Sequence, residues 1–165
     1  MGWNRGTVMG SRHAATLALA GLAALLTAGA VAAAEATFTA ALGWVPIGGA
    51  ERSEVAGEGK VTATLSGSKL SVTGSFAGLP ARATAAKLHL GVAKGARGPG
   101  GGVPIGELRV TGDTSGSVSG DVRLSAEQIE ALRAGRVYLQ IYSEKGVLPD
   151  HSTLFGWLAS EASKR

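Results

Sequence analysis

From Thr37 onward the chain is a succession of short runs in which apolar and polar residues alternate one for one, separated by turns rich in glycine and serine. A period of two sends successive side chains to opposite faces of an extended strand, whereas a helix would need apolar residues three and four apart. Phe38, Ala40 and Leu42 alternate with Thr37, Thr39 and Ala41. Val61, Ala63 and Leu65 alternate with Thr62 and Thr64, and Leu70, Val72, Gly74 and Phe76 alternate with Ser71, Thr73 and Ser75. The turn Ser66-Gly67-Ser68-Lys69 joins these last two runs into a predicted β-hairpin. Gly43–Gly59, broken by Pro46 and Gly48-Gly49, is expected to be a loop.

The stretch Ala83–Gly102 reads as a strand entering a glycine-rich loop. Alternation places Ala86, Leu88 and Leu90 on one face and Lys87 and His89 side by side on the other. The first set is expected in the core, and Lys87 and His89 are expected to face outward or into a shallow surface site. A phosphate-binding loop would need a helix directly after its glycines. Here Val103-Pro104 and another strand follow. Gly95–Gly102 is therefore read as a flexible connection, with Lys94 and Arg97 solvating it.

Further along, Ile105–Thr111 and Ser117–Leu124 form a second predicted antiparallel pair. Ser125-Ala126-Glu127-Gln128 is a capping box that starts a short helix over Ser125–Ala134, and Gly135 stops it. Val137, Leu139 and Ile141 then alternate with Tyr138, Gln140 and Tyr142, and a last strand runs through Thr153–Leu158. If these two strands pair, Tyr138, Tyr142, Phe155 and Trp157 form one aromatic patch, read as packing rather than as a ligand platform. Frequent short strands with one short helix predict an all-β fold. We expect an antiparallel β-sandwich, Greek-key, Ig-like or barrel-like, of about seven or eight strands.

The N-terminus has a different composition. Arg5 and Arg12 precede the apolar run Ala14–Leu26, and small residues end in Ala32-Ala33-Ala34. This is the order of a secretory signal peptide, with cleavage expected after Ala34 or, as second choice, after Ala36. Met9 is an alternative start that keeps Arg12 ahead of the apolar run. An uncleaved membrane anchor is the competing reading, disfavoured because the run is largely alanine and only weakly hydrophobic. The expected organisation is a signal peptide at 1–34, one β-domain at 35–160 and a C-terminal tail at 161–165. The product is expected to be exported, periplasmic or secreted, with no stable membrane anchor after cleavage.

Removing Arg5 and Arg12 from 16 basic residues leaves 14 against 12 acidic ones, a net charge of +2. Spread evenly along the chain, that balance gives no footprint for nucleic acid. The absence of cysteine excludes a thiol enzyme, an N-terminal lipid-anchored cysteine and a thiolate metal site. No Gly-x-Ser-x-Gly elbow occurs, no cofactor motif is present, and no enzyme is expected.

The segment Phe38–Leu158 resembles a chordin-type (CHRD) domain, a module of secreted growth-factor antagonists in animals and of many bacterial exported proteins. The matching pieces run in order. They are Phe-Thr-Ala-Ala-Leu at Phe38–Leu42, the hairpin ending in Gly78-Leu79, Ala-Thr-Ala-Ala-x-Leu-His-x-Gly at Ala83–Gly91, and Gly98-Pro99. Leu-Arg-Ala-Gly-Arg-Val-Tyr at Leu132–Tyr138 and Phe-Gly-Trp-Leu at Phe155–Leu158 complete the series. The family's central strand usually reads Ala-His-x-His, and here Lys87 stands in place of the first histidine while His89 is retained. Tyr142 stands where the family has a histidine, and Phe155-Gly156 where it has Arg-Gly.

The resemblance implies a non-catalytic exported binding or structural module whose partner is an unknown protein or extracellular ligand. The surface site expected from it is Lys87, His89, Tyr142 and Phe155. The alternative is a small periplasmic copper- or zinc-binding or redox-related protein using His89. After signal removal only His89 and His151 remain as imidazole ligands, so such a site would need a carboxylate to complete it. Metal titration of the protein and of His89→Ala separates the two readings.

Overall fold

The computed structural model describes residues 35–47, 49–97, 101–147 and 149–160. The signal peptide assigned to 1–34 and the tail at 161–165 lie outside the described residues, as do Gly98 and Pro99. The strands are β1 (Ala36–Trp44), β2 (Glu58–Ser66), β3 (Lys69–Ala77), β4 (Ala83–Leu90), β5 (Val103–Val110) and β6 (Gly116–Arg123). Helix α1 (Ala126–Arg133) follows, then β7 (Val137–Val147), β8 (Ser152–Trp157) and β9 (Ala159–Ser160).

The strands pair antiparallel in the order β2-β3-β6-β5-β4-β7-β8-β1, and β1 also pairs with β2, which closes an eight-stranded barrel. Of the architectures left open by the sequence, the barrel is the one formed. The two-residue β9 continues β8 along β1 in a single register: Leu154 and Phe155 lie opposite Trp44 and Gly43, and Ala159 and Ser160 opposite Thr39 and Phe38. Eight strands enclose an interior just wide enough for side chains to fill. Phe38, Leu42, Val61, Leu70, Val72, Leu88, Leu139, Ile141 and Leu154 fill it, each at most 3% exposed.

The hairpin β2–β3 has Leu65 opposite Leu70 across the predicted turn. The capping box also forms, since Gln128 N donates to Ser125 Oγ and Ser125 N donates to Gln128 Oε1. Helix α1 buries Ala131 and Leu132 against the core.

Two expectations about element boundaries change. Gly43–Gly59 is not all loop, because β1 runs through Trp44, Gly49–Glu54 forms a 3₁₀ turn, and β2 begins at Glu58. Gly43 and Trp44 are held extended by β8, over a hundred residues away in sequence, which local composition does not encode. Strand β7 runs past Tyr142 to Val147, with a register break at Tyr142.

Candidate functional site

An antiparallel sheet commonly has one face on the core and one in water. Strand β7 departs from this pattern, because every residue from Val137 to Ser143 is buried. Val137, Leu139 and Ile141 belong to the barrel core. Tyr138, Gln140 and Tyr142 point the other way by alternation, so the exterior of the barrel is covered here.

Register assembles that covered face. His89 on β4 lies opposite Tyr138 on β7, which lies opposite Trp157 on β8. One step along, Glu107 on β5, Lys87, Gln140 and Phe155 form a second row. Beside His89, β5 carries an extra residue, Ile105, between the partners of Leu88 and His89. Such a bulge bends the strand and re-aims side chains.

The rings pack closely. His89 stacks on Tyr138 with centroids 5.1 Å apart and planes 14° from parallel. Tyr138 also meets Trp157 at 4.8 Å and the edge of Phe155 at 6.2 Å. His89 Nε2 and Tyr142 Oη share a hydrogen bond of 2.9 Å. Lys87 pairs with Glu107 at 3.2 Å, an interaction in partial contact with solvent and worth at most about 1 kcal/mol. Its ammonium lies 6.0 Å from the Tyr142 ring centroid.

The cover comes from the segment after β4. Gly91 N donates to the Arg136 carbonyl, and Ala93 and Ala96 close a tight turn by mutual backbone hydrogen bonds. Arg97 then returns over the face, its Nη1 donating to Gln140 Oε1 at 3.2 Å and its guanidinium 5.1 Å from the Phe155 centroid. A Cβ at Gly91 would sit 2.6 Å from both the Trp157 ring and the Ala96 carbonyl oxygen. A Cβ at Gly102, whose φ is +79°, would sit 2.6 Å from the Leu90 carbonyl oxygen and 3.2 Å from Tyr138 Oη. Close approach of backbone to ring requires glycine at both positions.

This arrangement corrects the expected exposure of His89. Lys87 and His89 share a face as read from the sequence, but His89 is only 5% exposed and Tyr138 is fully buried. Arg97 does not merely solvate the loop, because it is half-buried and bonded to Gln140. Leu88 is in the core as expected, while Leu90 is only partly buried.

Electrostatics follow from the burial. The His89 pKa is lowered from 6.5 chiefly by burial, with Lys87 and Arg97 adding repulsion; the Gly102 backbone and the Asp150 carboxylate act in the opposite sense. Burial pushes Tyr142 up to about 12, and Asp150 adds to the rise. Burial likewise raises Tyr138. At neutral pH the face therefore holds a neutral imidazole and two phenols, flanked by Lys87 and Arg97. Two buried atoms, His89 Nδ1 and Tyr138 Oη, have no partner of hydrogen-bonding geometry among the described residues. Each such atom costs about 1–3 kcal/mol.

The structure thus brings together all four residues named from the sequence, Lys87, His89, Tyr142 and Phe155. It joins to them Tyr138, Gln140, Trp157 and Arg97. Gln140 was signalled by its place between two tyrosines on one face of β7; nothing local signalled Arg97. Among the described residues no three His, Cys, Asp or Glu side chains come together as a metal site. His151 is exposed in the turn before β8, with φ +58°. A separate open groove of about 610 Å³ over β1, β2 and β3 is lined by Thr39, Ala41, Glu58, Lys60 and Ser75 among others, but its charged residues are exposed.

A closed antiparallel barrel with an aromatic, arm-covered outer face defines an all-β module. Residues 38–146, well over half of the 165, match the family profile described as the CHRD domain, and the chain belongs to that family. The match spans β1 to β7 and so includes Lys87, His89 and Tyr142, while Phe155 lies beyond it. No curated protein and no solved structure matches the chain. Among the described residues no helix is long and apolar enough to cross a membrane.

Proposed function

We propose that this CHRD-family protein is an exported, non-catalytic binding or structural module, and that its contact surface is the outer face formed by Lys87, His89, Tyr142 and Phe155 together with Arg97 and Trp157. The observation that carries the reading is the double burial of β7, an ordered aromatic face outside the core and flanked by two cations. Aromatic and arginine side chains concentrate binding energy at protein interfaces. The chemistry of the site supports a non-catalytic role. His89 is shielded and bonded to Tyr142, and the Tyr142 phenol is far from ionising at neutral pH, so neither serves as an accessible base or nucleophile. Export rests on the signal-peptide order of 1–34, with the mature chain starting at Glu35 or Thr37.

The partner is a protein or extracellular ligand, sought by capture from the secreted or periplasmic fraction with the parent chain and with Phe155→Ala. Phe155 is half-buried at the rim, so its removal weakens contact with little loss of fold. A partner retained equally by both baits would move the contact surface elsewhere.

A further inference from the structure

The arm Gly91–Arg97 is held over the face by few interactions. Arg97 donates to Gln140 and lies over Phe155, Gly91 is tied to Arg136, and Gly91 packs on Trp157. Working against closure are the two buried polar atoms, His89 Nδ1 and Tyr138 Oη. Both lie near Gly102, whose backbone also meets that of Arg97. Opening would give both atoms water, so the closed arm carries a cost that the open arm does not.

A proton on His89 adds to that cost. Both ring nitrogens become donors; Tyr142 Oη can accept from Nε2 and the Gly102 backbone also favours the cation, but burial is the larger effect. The groups facing the ring divide unequally. Lys87 on the same strand and Arg97 on the arm repel the cation, and Asp150, in the turn between β7 and β8, attracts it. Glu107 on β5 is engaged with Lys87, Tyr138 and Tyr142 on β7 are neutral phenols, and Phe155 and Trp157 on β8 carry no charge. Lys87 sits on a strand fixed by ladders on both sides, whereas Arg97 sits on the arm. Repulsion is therefore relieved by moving Arg97.

We propose that the Gly91–Arg97 arm is an acid-released cover: protonation of His89 displaces Arg97 from Gln140 and Phe155 and uncovers the Tyr138–His89 part of the contact face. This rests on the reading of that face as the binding surface and adds its regulation by pH.

The chain lacks cysteine, so two can be introduced for spin labels. Ala93→Cys places one on the arm and Ser119→Cys one on the exposed side of β6, with distances measured in the full chain by pulsed electron resonance. The expected distribution is narrow at pH 7.5 and gains a longer, broader component as pH falls below about 6.5, the ordinary imidazole value. Linkage to one proton limits the change in open-to-closed ratio to about tenfold per pH unit. In the same background His89→Gln stays narrow at both pH values and Arg97→Gln is broad at both, with folding checked by circular dichroism. A parent distribution unchanged between pH 7.5 and pH 5 overturns the proposal, as does a folded His89→Gln that keeps the transition. Should His89→Gln not fold, the parent titration and Arg97→Gln decide alone. The readout needs no partner, so a static arm leaves the contact-face reading standing, and a failed capture leaves the arm untouched.

Discussion

His89→Ala is the perturbation that most sharply separates a covered face from an ordinary solvated one. The side chain is 5% exposed, stacks on Tyr138 at 5.1 Å and bonds to Tyr142 at 2.9 Å. Losing the stack costs about 0.5–1.5 kcal/mol and losing the hydrogen bond about 0.5–1.5 kcal/mol. The space left beneath the arm adds about 1–2 kcal/mol, the low end for a large-to-small change because the arm can settle. Deleting Nδ1 removes one unpartnered buried atom and returns about 1–3 kcal/mol. The net expectation is a loss of about 2 kcal/mol. Leu88→Ala, inside the barrel with no exposure, should cost about 2–5 kcal/mol. Lys87→Ala, whose ion pair meets solvent, should stay within about 1 kcal/mol. Urea denaturation of the three single variants, compared by midpoint at constant slope, measures all of these. A His89→Ala midpoint indistinguishable from that of the parent is the response of a surface histidine and would rule out the covered face.

The pH dependence has a definite sign. Because the folded-state pKa of His89 lies below its unfolded value of about 6.5, the unfolded chain binds more protons in that window. His89 therefore lowers stability as pH falls from about 6.5 toward its folded pKa, and urea midpoints at pH 7.5 and pH 5 should differ less in His89→Gln than in the parent. At Gly102 the φ of +79° and the close Leu90 carbonyl leave no room for a methyl group, so Gly102→Ala should lower the thermal midpoint by several degrees. N-terminal sequencing of exported protein should find Glu35 or Thr37 first, and an intact Met1 or Met9 on membrane-bound material would contradict the leader.

Much of the barrel was legible because strand alternation is local. Phe38 to Leu42, Val61 to Leu65 and Leu70 to Phe76 each show their inward face in the chain itself, and the Ser125 capping box announces the helix. Closure was not legible, because it depends on β1 meeting both β2 and β8, and a period of two does not name the partner strand. The candidate face was half legible for a related reason. Alternation put Lys87 and His89 together and suggested that Tyr138, Tyr142, Phe155 and Trp157 form one patch, and the β7–β8 register assembles it. The same alternation describes a solvated face and a covered one equally well. What covers this one is Arg97, forty-three residues before the Gln140 it bonds, in a glycine-rich segment whose composition reads as a free loop.

The most direct test of a neutral imidazole buried on the outside of a barrel is an NMR titration of the chain's three histidines, with His89 assigned by its loss in His89→Gln. The expected His89 midpoint lies below 6.5, in the direction that burial, Lys87 and Arg97 impose. A midpoint at or above 6.5 would place His89 in solvent or beside a dominant carboxylate, and would contradict the covered face.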